Sequence, residues 1–158
     1  MNILAINPGH NGSAALVIDG KLEVYIEEER MSRMKRDGNP FRAMLYCMED
    51  HHIDELIICG TGSPHEDHDL PWTSENSYHA LVRKYNPRVK TSIVGDEHHM
   101  GHVASSFYGS GFDTAAALIV DGAGSRCELK WPPGGSEDWD PITAFETESI
   151  YQCSFPGE

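Results

Sequence analysis

Three side chains in this 158-residue sequence have the types and the spacing to hold one cation: His98, His102 and Asp121. In the run Asp96-Glu97-His98-His99-Met100-Gly101-His102 the outer two histidines stand four apart, so on a helix both imidazoles project from one face. Imidazole is already populated in its neutral, metal-binding form near pH 7. Asp121 follows the most hydrophobic run of the chain, Thr114 to Val120, and a carboxylate at a strand end can hold a metal or its water. Two histidines and one carboxylate with open positions suit iron(II) or another divalent ion. The competing reading is a solvated, polar helix start. Metalloprotease chemistry is excluded in detail, because it needs His-Glu-x-x-His and no glutamate stands between His98 and His102. His99 lies off the shared face, and we expect it behind the ligands or against a substrate rather than on the metal.

Two glycine-containing turns form the second constellation. They are Asn7-Pro8-Gly9-His10-Asn11-Gly12-Ser13 and Asp121-Gly122-Ala123-Gly124-Ser125. Gly9, Asn11, Gly12, Ser13, Gly122 and Gly124 are candidate phosphate contacts, since small residues let backbone N–H groups approach anionic oxygens. Tight turns use the same residues, so either turn alone says little. As a pair, an early strand-turn-strand loop and a later strand ending in Asp-Gly-x-Gly have the layout of the phosphate loops of the actin-like ATPase fold. His10, in the first turn, is a candidate general base or a donor to developing charge, against the plainer reading of a surface histidine. His65-Glu66-Asp67-His68 reads as a solvated loop.

The elements that must position these groups alternate. Asn2 to Asn7 reads as a buried strand. Ser13 to Ile18 and Lys21 to Glu27 follow as strands joined by Asp19-Gly20, a two-residue hairpin signal. Asn39-Pro40 places a cap and a first-turn proline before a helix from Phe41 to His52. Strands are expected at Leu56 to Cys59 and Lys90 to Val94, with a helix from Ser74 to Tyr85 and another from Glu97 to Tyr108. Thr114 to Val120, Glu128 to Trp131 and Ile142 to Ile150 complete the strands, and residues 63 to 72 read as loop. A hairpin-rich start followed by alternating helices and strands predicts an α/β layer structure with a mixed sheet.

Bulk properties narrow the function classes. A hydrophobic fraction of 39% and a charged fraction of 23% are those of a globular domain. The formal net charge of −13 argues against a nucleic-acid groove, which needs clustered Lys and Arg. The one basic run, Arg30, Arg33, Lys35 and Arg36, follows the acidic Glu27 to Glu29, so its field is local. No apolar export core and no stretch of about 18 apolar residues is present. Cys47, Cys59, Cys127 and Cys153 form no CxxC pair. A cytoplasmic protein with reduced thiols, away from membranes, is the expectation.

Four motifs in order, the Asn7 to Leu16 run, Glu27-Glu28-Glu29-Arg30 with Ser32-Arg33, His98 to Tyr108, and Val120-Asp121-Gly122-Ala123-Gly124, resemble the N-terminal domain of the NodU/CmcH-type O-carbamoyltransferases. The resemblance spans Met1 to about Gly124 and thins beyond Ser125. It implies an actin-like (ASKHA, ribonuclease H-like) fold akin to the universal tRNA threonylcarbamoyl-transfer protein, of which residues 1–158 would be an incomplete N-terminal portion. It implies a YrdC-type domain, absent from these residues or supplied by a separate subunit, that makes carbamoyl-adenylate from carbamoyl phosphate and ATP. The first domain would pass the carbamoyl group to a hydroxyl acceptor, with iron(II) or another divalent metal on His98, His102 and Asp121. His10 would be a catalytic-site residue, and Arg30, Arg33 and Lys35 nearby basic groups without assigned roles. Two other readings stand beside this one: a tRNA threonylcarbamoyl-adenylate transferase, which the acidity disfavours, and a non-catalytic nucleotide- or metal-binding module.

Overall fold

The computed structural model describes residues 1–9, 11–59, 77–95, 97–129 and 142–155. The chain divides into two compact units, the first Met1–Gly60 with Pro64–Gly95 and the second Thr61–Ser63 with Asp96–Glu158. Expectations for His10, the 63–72 loop, residues 74–76 and Trp131 fall outside the described residues.

The first unit is a mixed α/β layer. Its strands are β1 (Asn2–Asn7), β2 (Ser13–Ile18), β3 (Lys21–Glu27), β4 (Glu55–Cys59) and β5 (Lys90–Val94). They form one five-stranded sheet in the order β3-β2-β1-β4-β5. The first three are antiparallel, registered by Asn7↔Ser13 and Ser13↔Glu27, whereas β4 and β5 join parallel to β1. Asp19 and Gly20 both take positive φ, 47° and 80°, as a tight hairpin turn requires. Alternation along the strands buries Leu4, Ile6, Leu16, Leu56 and Ile58. These meet Ala43, Met44 and Cys47 of α2 (Phe41–Met48) and Tyr78 and Val82 of α3 (Ser77–Tyr85).

Two local expectations are corrected here. The helix expected to run to His52 stops at Met48, and Asp50 adopts a left-handed φ of 64°. Its N-cap is Pro40, which lacks a capping side chain, rather than Asn39, whose Oδ1 instead accepts the Tyr78 hydroxyl at 3.4 Å. The cap comes from a distance. The acidic run forms a short helix that the sequence did not announce, α1 (Glu28–Ser32), and its buried Glu28 carboxylate accepts the Ala43 N–H at 2.8 Å. A carboxylate at a helix N-terminus satisfies an orphan donor and opposes the helix dipole favourably.

The second unit holds α4 (His98–Ser110), β6 (Thr114–Val120), β7 (Arg126–Leu129), β8 (Ile142–Phe145) and β9 (Glu148–Ser154). Strands β6 and β9 pair antiparallel from Thr114↔Ser154 to Val120↔Glu148, and β7 pairs with β8. Val103 and Phe107 of α4 pack on Cys153, with Ala115, Ala117, Ile119 and Tyr151 around them. The helix passes Gly109 and closes at Gly111, left-handed at φ 76°. The single last strand expected from Ile142 to Ile150 is two strands, broken at Glu146 and Thr147, because those residues turn to bond the loop after β6. β7 begins at Arg126, two residues ahead of expectation. No helix among the described residues is long and apolar enough to cross a membrane.

Candidate metal centre

Helix α4 sets His98 and His102 one above the other, with ring centroids 4.6 Å apart and planes nearly perpendicular. Asp121, just past the end of β6, meets them. Its Oδ2 lies 2.7 Å from His98 Nε2 and 3.4 Å from His102 Nε2, and the two Nε2 atoms are 3.0 Å apart. The three side chains that spacing put forward therefore converge, each offering one ligand atom within 4.8 Å of the others.

The donor set fits a cation better than it fits hydrogen bonding. Each Nε2 carries at most one proton. If His98 donates to Asp121 it has no lone pair left to receive from His102, and two Nε2–H groups 3.0 Å apart oppose each other. A single ion accepting three lone pairs removes the conflict. Ligand atoms bound at about 2.0–2.2 Å lie about 2.8–3.6 Å apart across an octahedral or tetrahedral edge. The observed edges of 3.0 and 3.4 Å fall within that range and the third, 2.7 Å, lies just below it.

Electrostatics favour the ionised carboxylate. The hydrogen bond from His98, and next that from the Gly122 N–H to Oδ1 at 2.6 Å, hold the Asp121 carboxyl below its ordinary range. One side of the trio opens on a shallow groove of about 380 Å³ lined by His102, Ser105, Ser106, Leu118, Ile119, Val120 and Asp121. The hydroxyls of Ser105 and Ser106 fold back onto the His102 carbonyl at 3.0 and 2.8 Å. Residues that the sequence did not single out fix the ligands. Ser125 Oγ accepts the His98 N–H at 3.1 Å, a cap that Glu97 does not supply. Asp121 N–H donates to Thr147 O at 2.9 Å. Nothing in spacing alone links Thr147 to a turn 26 positions earlier.

His99 faces away from the ligand trio, as its position on the helix required. It is fully buried, with Nδ1 2.7 Å from Ser149 Oγ and 3.9 Å from Glu146 Oε2. In this structure the ring is out of reach of solvent.

The amides of the glycine turns have partners within the protein. Gly9 N–H donates to Gly38 O and Gly12 N–H to Asp37 O, each at 2.8 Å. Gly12 is needed for this packing, since a Cβ there would lie 2.8 Å from the Gly38 carbonyl carbon. In the second turn Gly122 N–H is taken by Asp121 and Gly124 N–H by Glu146 O at 2.6 Å. Four of the amides proposed for phosphate are thus spent within the protein. Ser13 is buried in β2, and Asn11, at φ 61°, keeps a buried Oδ1 without a partner among the described residues. The two turns belong to different units. Two of the basic residues are paired locally, Arg30 Nε 3.5 Å from Glu27 and Lys35 Nζ 2.9 Å from Glu29, while Arg33 closes α1 in the left-handed region.

No family model matches the chain. It is 27% identical over 161 residues to nodulation protein NolNO of Sinorhizobium fredii (strain NBRC 101917 / NGR234), covering 89% of this chain and 24% of that protein. It is 28% identical over 148 residues to uncharacterized protein sll1178 of Synechocystis sp. (strain ATCC 27184 / PCC 6803 / Kazusa), covering 73% of this chain and 24% of that one. The chain spans about a quarter of the length of these curated relatives. Among solved structures, a ROK family protein from Streptococcus pneumoniae TIGR4 in complex with sucrose aligns over 78% of this chain and 44% of its own, at TM-score 0.42 and 12% identity, a likeness too slight to assign the fold. The similarity to the nodulation protein agrees with the motifs: the chain resembles the NodU/CmcH-type O-carbamoyltransferases.

Proposed function

We propose that this chain is the metal-holding N-terminal portion of an O-carbamoyltransferase that passes a carbamoyl group from carbamoyl-adenylate to the hydroxyl of a small molecule or sugar. The convergence of His98, His102 and Asp121 on one point carries the reading. Sequence similarity to a nodulation protein over 89% of the chain supports it, and so does the mixed sheet of the first unit, whose antiparallel hairpins and parallel additions suit an actin-like fold.

In this scheme His98 and His102 present lone pairs and Asp121 an ionised carboxylate to iron(II) or a similar divalent ion. When bound, that ion supplies positive charge beside the phosphate of the adenylate. The acceptor oxygen forms its bond to the carbamoyl carbon as the bond from that carbon to the phosphate oxygen breaks. His10 is assigned to take the hydroxyl proton. Asn11, rather than the Gly9 and Gly12 amides, is assigned to the nucleotide, because those amides already have partners. Carbamoyl-adenylate would come from carbamoyl phosphate and ATP at a YrdC-type unit outside residues 1–158.

Two measurements test the reading. The 158-residue chain should bind one Fe(II) anaerobically, and Asp121→Ala should lower that binding; an unchanged Asp121→Ala isotherm removes the metal role. With carbamoyl phosphate, ATP and a small alcohol, turnover should require an added YrdC-type unit. Full steady-state turnover by the isolated chain refutes that division of labour, and carbamoyl transfer to tRNA alone would move the acceptor class.

A further inference from the structure

The two pieces of chain that bring the ligands together meet at His99. The ring is wholly buried under the turn that carries Asp121, and its Nε2 has no hydrogen-bond partner among the described residues. What Nε2 faces is Gly124. A Cβ on Gly124 would stand 2.5 Å from Nε2 and 2.7 Å from Cδ2 of the ring, closer than real atoms approach. The same Cβ would lie 3.0 Å from Glu146 Cβ, so the turn is held between the ring and the 146–149 segment. That segment in turn grips the loop at three points: Asp121 N–H to Thr147 O at 2.9 Å, Gly124 N–H to Glu146 O at 2.6 Å, and Glu146 N–H to Ser125 O at 3.0 Å. Ser149, from the same segment, fixes the opposite edge of the ring at 2.7 Å.

Leaving a buried ring nitrogen unpaired is destabilising. A phenyl or leucine side chain would fill the space without that cost. What an imidazole adds is the Ser149 bond, which fixes the ring's orientation while its far edge presses on Gly124. Resting on the metal reading above, we propose that His99 is a positioning residue that keys helix α4 to the Asp121–Ser125 turn and thereby sets the spacing of the two imidazoles from the carboxylate. Gly124 is its counterpart: only a residue without a side chain lets the turn sit directly on the ring.

The test uses Co(II) as probe, with affinity from titration and site geometry from the visible absorption of the bound ion. The wild-type chain binds one Co(II). Both His99→Ala and Gly124→Ala weaken binding about 10–100-fold, the range found for groups that orient ligands, and shift the absorption band. His99→Asn, which keeps a polar atom near the Nδ1 position for Ser149, binds more tightly than His99→Ala. The double variant His99→Ala/Gly124→Ala binds more tightly than Gly124→Ala, because the added methyl enters the space vacated by the ring. Circular dichroism and Tm identify the folded variants; should His99→Ala fail to fold, Gly124→Ala and Ser149→Ala decide the question. Folded variants with wild-type affinity and an unshifted band overturn the role given to His99 alone. A wild-type chain that binds no Co(II) overturns the metal reading and this inference with it.

Discussion

Removing His98 should cost more metal affinity than removing any other single histidine of the described chain. His98 Nε2 shares both short edges of the trio, 2.7 Å to Asp121 and 3.0 Å to His102, and its side chain is 21% exposed. His102 shares one edge of 3.0 Å and one of 3.4 Å and is 49% exposed. Structural four-ligand sites gain about 10–16 kcal/mol from their metal, roughly 2.5–4 kcal/mol per ligand. At 1.4 kcal/mol per decade, deleting one ligand weakens binding by about two to three orders of magnitude. Replacement by water recovers part of this, most readily at the more exposed position. The expected order of Kd is therefore His98→Ala weakest, His102→Ala next, and His51→Ala, an exposed histidine of the first unit, equal to wild type. Competitive titration with a chromophoric chelator at pH 7.5 measures all four. A His98→Ala chain within about threefold of wild type would falsify the three-ligand geometry.

Two further outcomes follow from the same contacts. In the metal-free chain the Asp121 carboxyl should titrate below the ordinary 3.8, as read by carboxyl NMR, because ionised Asp121 is bonded by His98 and Gly122. A depressed folded value means that its contribution to stability is present above the unfolded value and fades as pH falls through the folded one; His98→Ala should raise the midpoint, and no movement would detach the two groups. Glu28→Ala leaves the buried Ala43 N–H without an acceptor and should lower stability by about 2–3 kcal/mol in urea unfolding, whereas Glu28→Gln, which keeps an acceptor, should lose about 1 kcal/mol; equal losses would mean that the cap adds nothing.

Much of this was legible in the chain because period and punctuation agree locally. Asp19-Gly20 fixes a hairpin on its own, and strands β1, β2, β3, β5 and β6 begin and end where alternation and turn residues put them. The His98, His102 and Asp121 trio was legible for the same reason, one helical turn and one strand end being short-range facts. What escaped was set by partners far along the chain. Glu28 reads as part of an acidic surface run, yet it is drawn into the core by the bare N-terminus of α2. Ile142 to Ile150 reads as one strand, yet Glu146 and Thr147 leave the ladder to hold the loop of Asp121. The glycine amides read as a phosphate cradle, and no local pattern indicates that Gly38 and Asp37 supply acceptors to the first of them.

The break at Glu146 anchors the excursion that strands β7 and β8 begin and end. Ser125 and Glu146 are tied back to back, the Glu146 N–H to Ser125 O at 3.0 Å and the Gly124 N–H to Glu146 O at 2.6 Å, so both ends of the excursion are stapled at its root. The paired strands β7 and β8 thus leave from an anchored root, at which the loop carrying Asp121 is held twice.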